Sequence, residues 1–500
     1  MKQLNPLVTH PLWRTLADTT TAEGMQAYLV GGAIRDCLLG NVSSDSPIKD
    51  WDIVLTSKTG DSPLDETLQA RVRHLAQAIC TQLKGHYVLL DETWGIHRIV
   101  LDEDNPVLPQ GGCIDLACAL DNSIETDLAR RDLTINSMAI PLTTDTSAFK
   151  LMDPHGGQAD LETQTIRMLS EGNMIEDPLR LLRVFRFGTL FSSPQWHLET
   201  LACVNQHRAL INQSAAERIQ TELLKLFSAR VCFPAVEAMA LTGLLESIFP
   251  ELVPTREVPP NTHHHLGLFE HTLELIRQSE HLFEELPQTA QTSLLESLNG
   301  TVNRFGIVKL ACLLHDIGKP QTMQVLSESK TTFYGHEQLS ATMGDEISQR
   351  LKLSSDLSQR VHHLVRWHLY PCQFGPESPL KSVLRFYRRI GEAVPDLILL
   401  ALADRYSTQG PAITPEMMQT AHQNHLWLLD EYYAQKPVLS LPRLLNGNQI
   451  MEALQRPPGP WLKTVLDTLT EAQQLGEIQT EEQALAWVKK AQIPETQIPV

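Results

Sequence analysis

The sequence predicts an α+β chain: a head in which helices cover a mixed sheet, followed by helical regions to the end. Three observations predict it. Six short apolar or β-branched runs cluster between residues 26 and 145 and alternate with helical stretches. Strands become scarce after "LMDPHGGQADLETQTIRML", where amphipathic helical spacing takes over. Two proline-rich breaks, "FPELVPTREVPPNT" and "AQKPVLSLP", then divide the helical part. A chain of 500 residues also exceeds what one core serves, since single cores stop growing near ~250–300 residues.

Taken in order, residues 1–25 form an N-terminal extension and 26–145 the head. Its expected strands are "AYLVGG", "WDIVLT", "HYVLLD", "HRIVL", "CIDLACAL" and "SMAIPL", with "LDETLQARVRHLAQAICTQL" as a helix packed on them. Residues 146–255 read as a helical neck, 256–425 as a histidine-rich helical domain, and 435–500 as a helical tail. No internal repeat or low-complexity segment interrupts this order.

No stretch reaches the ~18 consecutive apolar residues of a membrane span, and the start lacks a basic segment followed by an apolar one, so the expectation is a cytoplasmic protein without a membrane partner. The 8 cysteines include no CxxC pair and read as buried free thiols. A net charge of −18 excludes a surface that grips nucleic acid everywhere, because phosphate contacts need Lys and Arg. It leaves room for a local track. One candidate is "LKSVLRFYRRI", where Lys381, Arg385, Arg388 and Arg389 interleave with Phe386 and Tyr387; the plain alternative is a solvated helix face.

The stretch "KDWDIVL" carries the first chemistry. Residues i and i+2 of a strand share a face, so Asp50 and Asp52 point one way and Trp51 the other. Two carboxylates that close repel unless a cation lies between them, and magnesium takes a few carboxylates with phosphate oxygens and water. Asp115 in "CIDLACAL" is a third candidate carboxylate for two-metal phosphoryl transfer. Upstream, "YLVGGAIRDCLLG" ends a strand at Gly31 and Gly32 and starts a helix carrying Arg35, an arrangement suited to a triphosphate.

With "LVGGAIRDCLLG" and "DWD", the segments "RRDLTINSMA" (130–139), "MDPHGGQADLETQTIR" (152–167), "EDPLRLLRVFRF" (176–187) and "ERIQTELLKL" (217–226) resemble, in order, the motif series of class II tRNA nucleotidyltransferases, the CCA-adding enzymes and their bacterial poly(A) polymerase relatives. The resemblance covers roughly residues 26–230. It implies a polymerase-β-like head, Asp50 and Asp52 as magnesium ligands, and Gly31, Gly32 and Arg35 at the triphosphate. It further implies nucleotide contacts from Arg131, Asp132 and Asn136, and also from Arg183 and Arg186. In the family an Asp and the next Arg read the incoming base in place of a template; here these are Asp177 and Arg180. Residue spacing agrees, since Asp177, Arg180, Arg183 and Arg186 recur at i, i+3 on one expected helix face, and Asp beside Arg offers acceptor and donors to a base edge.

Five later segments, "HHHLGLFEHTLELI", "KLACLLHDIGKP", "YGHEQLSATMGDEI", "VHHLVRWHLYP" and "LLALADRYS", bring histidine and aspartate onto helices. Imidazole with carboxylate suits transition metals that activate water. The set resembles the HD phosphohydrolase superfamily. That resemblance implies a divalent transition metal on His271, His315, Asp316 and Asp404. His336 and His368 would add a second, with His362 and His363 as rivals; His263, His264 and His265 receive no role. The tail resembles the RNA-binding segment of nucleotidyltransferases with an HD domain, with Gly447 and Gly459 at turns and Lys463 as a phosphate contact.

The expected activity is template-independent addition of C and A from CTP and ATP to the tRNA 3′ end, by a monomer or homodimer. Alternatives are A-only, CC-only or poly(A) addition; the last is disfavoured because "HYVLLDETWGIHRIVL" lacks the basic "GRRF"-like strand. The loop that switches CTP to ATP selection has no recognisable counterpart. An alternative of another class makes the HD site, as a phosphodiesterase or phosphatase, the main activity.

Overall fold

A computed structural model describes residues 2–42, 47–57, 66–91, 95–108, 111–145, 149–327 and 330–490. The last ten residues of the expected tail, 491–500, and part of the stretch before Asp50, 43–46, lie outside them. The chain divides into two compact units. The first holds the residues up to Leu226 together with Pro234–Ile248, and the second holds Phe227–Phe233 and everything from Phe249 on.

The first unit is built on one six-stranded sheet: β1 (Met25–Val30), β2 (Asp50–Ser57), β3 (His86–Asp91), β4 (Ile96–Leu101), β5 (Gly112–Cys118) and β6 (Ala139–Pro141), in the order β3-β4-β5-β2-β1-β6. All six expected strands are present. The sheet is mixed because β2 and β5 run parallel while the remaining pairs are antiparallel. Alternation on β2 buries Trp51, Ile53 and Leu55 on one face. On the other face Val54 joins Val30, Ala119, Ile124, Leu128 and Ala139 in a small core, leaving Asp50 and Asp52 at the open end of that face.

Residues of the N-terminal extension do not dangle. Asn5–Val8 and Pro11–Ala22 are helices whose Leu7, Leu12 and Leu16 are fully buried. The Trp13 indole donates to the Thr143 carbonyl at 3.0 Å, and His10 lies 5.1 Å from the Trp51 ring. After the sheet come short helices and a two-residue parallel pair, Thr165–Ile166 with Gln195–Trp196, which props the helix Leu179–Gly188. Gly188 is required there, because a Cβ would stand 2.1 Å from the Trp196 ring.

Among the described residues the second unit is helical apart from the strand pair Gln324–Ser327 and Lys330–Thr332. Its central helix, Arg304–Leu314, is buried all round, as expected of a helix with no face toward water. Even Lys309 is fully buried, ion-paired to Glu280 at 3.0 Å. Around it stand Leu268–Phe283, His336–Arg350, Ser355–Trp367 and Val394–Ser407. The tail helices Gly447–Leu454, Trp461–Gln474 and Glu481–Lys490 close on their own core of Ile450, Leu469, Ala484 and Val488. Among the described residues no helix is long and apolar enough to cross a membrane.

Candidate functional sites

In the first unit, a cleft of about 710 Å³ opens at the end of the sheet where Asp50 and Asp52 emerge. The parallel register places Asp50 opposite Cys113 and Asp52 opposite Asp115, so the three carboxylates named from sequence line one cleft. The Cys113 thiol donates to Asp50 Oδ1 at 3.1 Å. Burial pushes the Asp52 carboxyl up; Arg131 opposes this, while Asp115 and Asp50 add to it. Such convergence of charge is what a divalent cation relieves, so the donor set fits magnesium.

Gly31 adopts φ +74°, a region open to glycine at little cost. A Cβ there would also press on Asp52 Oδ2 and Arg131 Nη1, each at 3.1 Å. Glycine is therefore what lets the carboxylate and the guanidinium crowd the turn. Arg131 is anchored by Asp127 at 3.1 Å. Arg35 donates to Asn136 Oδ1 at 2.7 Å and ion-pairs with Asp36.

Arginines from the helix Leu179–Gly188 form the far wall. Arg183 donates to Asp132 Oδ2 at 2.8 Å and Arg186 to Glu222 Oε2 at 2.8 Å. Burial raises the Asp132 carboxyl, but Arg183 and the donors Asn136 and Leu133 N outweigh it and hold it down at about 2. Arg35, Arg183 and Arg186 lie over the Phe187 ring at 4.9, 5.0 and 3.5 Å, a cation–π arrangement. Asp177 departs from the expected helix face. It ends the preceding helix Glu171–Glu176 in extended backbone, and Pro178 opens the next one; a residue before proline is driven out of helical geometry. Asp177 pairs with Arg218 at 2.9 Å, and Arg180 donates to the Arg130 and Asn173 carbonyls at 2.9 and 3.1 Å.

Sequence reasoning passed over Arg98, Phe187, Glu222 and Lys225. Arg98 grips Asp115 through Nε and Nη2 at 2.8 and 2.7 Å, and Lys225 lines the cleft. Alternation in "GIHRIVL" puts Arg98 on the open face. That β4 lies beside β5, however, is a long-range pairing no local pattern displays.

In the second unit, His271, His315 and Asp404 offer ligand atoms within 4.8 Å of one another, and so do Asp316, His336 and His368. Asp316 lies between the two groups: Oδ2 is 3.0 Å from His315 Nε2 and Oδ1 is 3.2 Å from His336 Nε2. Each imidazole Nδ1 meets a backbone carbonyl: His315 that of Cys312 at 2.9 Å, His336 that of Phe333 at 2.7 Å, His368 that of Val365 at 2.7 Å and His271 that of Ser407 at 3.4 Å. With Nδ1 donating, every Nε2 lone pair faces inward. Nε2 of His271, His315 and His336 and Asp316 Oδ1 are buried without a hydrogen bond, which a cation would satisfy, while Asp316 Oδ2 is ion-paired with Lys319 Nζ at 2.5 Å. The residues therefore fit one or two transition-metal ions.

The rivals stand elsewhere. His362 pairs with Asp345 at 2.9 Å, and neither it nor His363 belongs to the cluster. His264 lies 4.9 Å from the His271 ring, and burial followed by the Lys319 charge lowers its pKa to about 3.

The basic track is largely neutralised. Lys381, Arg385 and Arg388 all converge on Glu471 of the tail, at 2.5, 2.8 and 3.2 Å. Arg389 lies over Trp367 at 4.9 Å. The periodicity that puts these cations on one face is real, but an acidic residue 80 to 90 positions later was not paired with them from sequence.

Residues 27–167 match the family described as the Poly A polymerase head domain, 197–255 the probable RNA and SrmB-binding site of polymerase A, and 268–409 the HD domain. The A-adding tRNA nucleotidyltransferase of Deinococcus radiodurans is 31% identical over 474 residues, 93% of this chain and 95% of that protein. The Multifunctional CCA protein of Tolumonas auensis is 30% identical, covering 80% of this chain and 90% of its own. A solved CCA-adding enzyme in an apo form shares the fold, with a TM-score of 0.63 at 21% identity over 99% of this chain and 98% of that one. A nucleotidyltransferase head joined to an HD domain is thus the class that fold and sites define. The chain belongs to the class II tRNA nucleotidyltransferase family.

Proposed function

We propose that this enzyme adds C and A nucleotides from CTP and ATP to the 3′ end of tRNA without a template and releases pyrophosphate. The observation that carries the reading is the cleft in which Asp50, Asp52 and Asp115 face a wall of arginines. Asp50 and Asp52 hold magnesium. When bound, the ion supplies charge neutralisation at the α-phosphate and activation of the tRNA 3′ hydroxyl. The residues do the rest by position. Gly31 and Gly32 let the triphosphate approach the backbone, Arg35 and Arg131 lie beside it, and Asp132 and Asn136 orient Arg183 and Arg35. Asp177 and Arg180 present acceptor and donors to the base edge, exchanging their present partners for it. The 3′ oxygen attacks the α-phosphorus, the α–β bridging bond breaks, and no covalent enzyme intermediate forms.

Purified protein incubated with magnesium, labelled CTP or ATP, and tRNA transcripts ending before CCA, after C and after CC tests this reading. Extension of all three to a CCA end is expected, and absence of growth on any overturns it. A second reading, addition of A alone, is favoured by the Deinococcus relative, whose similarity spans nearly its whole length; growth only from the CC end selects it.

The second unit supports a separate hydrolytic reading. Its two ligand groups, bridged by Asp316, suit metal-assisted phosphoester hydrolysis. Release of nitrophenol from bis-p-nitrophenyl phosphate under Mn²⁺, Co²⁺ or Ni²⁺ tests it; no turnover with any of these leaves the cluster a structural metal centre.

A further inference from the structure

The cleft contains one ion pair that the proposed reaction leaves unexplained. Strand β5 lies between β4 and β2, so Asp115 faces Arg98 on one side and Asp52 on the other. Both Asp115 oxygens are occupied: Arg98 Nε donates to Oδ1 at 2.8 Å and Nη2 to Oδ2 at 2.7 Å. The pair is not part of the core. The Arg98 side chain is 37% exposed and that of Asp115 20%, and both border the cleft.

Neighbouring strands stand ~4.8 Å apart, so a divalent cation held by Asp52 comes within reach of Asp115. A guanidinium clamped on both oxygens of that carboxylate blocks the approach and repels the ion. The two cations compete for one acidic group. An incoming triphosphate alters the competition, because it offers the guanidinium an anion it can bind in the same two-pronged way.

We infer that Arg98 is a positioning residue that latches Asp115 until a nucleotide arrives: its guanidinium leaves the carboxylate for the triphosphate, and the freed Asp115 completes the cation site with Asp50 and Asp52. This rests on the proposed reading that these carboxylates hold a divalent ion. The exchange couples the two bound species. Nucleotide strengthens cation binding, and by linkage the cation strengthens nucleotide binding to the same degree. The full cation site then forms only when there is a triphosphate to act on.

The test uses full-length protein carrying Asp316→Ala, which removes the shared ligand of the HD cluster, and reads Mn²⁺ binding by electron paramagnetic resonance and binding of α,β-methylene CTP by calorimetry. Adding Arg98→Ala is expected to tighten Mn²⁺ binding without nucleotide by roughly three- to tenfold, to weaken the CTP analogue by about tenfold, and to abolish the mutual enhancement. Adding Asp115→Asn to Arg98→Ala is expected to remove the Mn²⁺ gain, and Arg98→Lys to fall between. A static structural pair also tightens Mn²⁺ in Arg98→Ala through loss of its charge but leaves the mutual enhancement of Mn²⁺ and the CTP analogue as in the parent protein; enhancement that persists in Arg98→Ala, or Mn²⁺ affinity that is unchanged or weaker, overturns the latch. If Arg98→Ala does not fold, as judged by circular dichroism, Arg98→Gln carries the same comparison. Failure of the underlying reading is distinguishable: it appears as wild-type protein that neither extends tRNA nor binds Mn²⁺ through Asp50 and Asp52.

Discussion

Asp52 and Asp115 stand directly opposite each other across the parallel pair β2–β5. Burial, with the charges of Asp115 and Asp50, pushes the Asp52 carboxyl above its usual range against the pull of Arg131. Without a cation, this arrangement costs stability, as functional sites often do. Asp52→Asn is therefore expected to melt at or above the wild-type temperature in metal-free buffer. The same variant loses nucleotide addition by about 10³-fold or more, since a metal ligand supplies several kcal/mol of transition-state stabilisation. Calorimetry beside an extension assay checks both, and a lower melting temperature contradicts the electrostatic part.

Asp132 behaves in the opposite way. Its folded pKa of about 2 lies below the ordinary carboxyl value, so its contribution is fully present above ~3.9 and is lost as pH falls through about 2. Wild type is expected to exceed Asp132→Asn by about 2 kcal/mol near neutrality, with the gap closing below about pH 4. Denaturant unfolding of both proteins across that range measures it. A gap independent of pH contradicts the buried Arg183–Asp132 pairing as its source.

The inward-facing Nε2 atoms of the HD cluster predict metal-dependent stability. Chelation is expected to lower the melting temperature of the second unit, and Mn²⁺, Co²⁺ or Ni²⁺ to restore it, because a ligand bound only to the folded state stabilises it by mass action. Asp316→Ala should remove both responses. Unchanged melting of wild type on chelation and reconstitution contradicts metal binding there.

Glu471 is held down at about 2 by Arg385, Lys381 and Arg388 against the effect of burial. Glu471→Ala leaves three cations without their shared acceptor, at a cost of about 1–3 kcal/mol. Faster amide hydrogen exchange in Trp461–Gln474 than in wild type is the expected reading. Unchanged exchange assigns the tail's attachment to its apolar contacts alone.

Local pattern was enough for the head's six strands, because each is a short apolar run and side chains alternate. It was enough for the carboxylates too, since i and i+2 spacing puts Asp50 and Asp52 on one face and Asp115 stands in a second apolar strand, "CIDLACAL". The HD ligands were legible as residues, but their grouping was not. That Asp316 sides with His336 and His368 as well as with His315 depends on how helices far apart in sequence meet. The same limit hid Arg98, which matters only because β4 pairs with β5, and Glu471, whose cationic partners lie 83 to 90 residues earlier. Asp177 was misplaced for a local reason: the i, i+3 count ran through Pro178, whose preceding residue is forced out of the helix.

The central claim is that the head carboxylates perform nucleotide addition and the HD cluster does not. The most direct measurement runs wild type, Asp50→Ala/Asp52→Ala and Asp316→Ala side by side through two assays: extension of tRNA lacking its CCA end, and Mn²⁺-dependent hydrolysis of bis-p-nitrophenyl phosphate. The expected result is that the double variant loses extension and keeps whatever hydrolysis the wild type has, while Asp316→Ala keeps extension and loses hydrolysis. Extension that survives in the double variant, or disappears with Asp316, contradicts the claim.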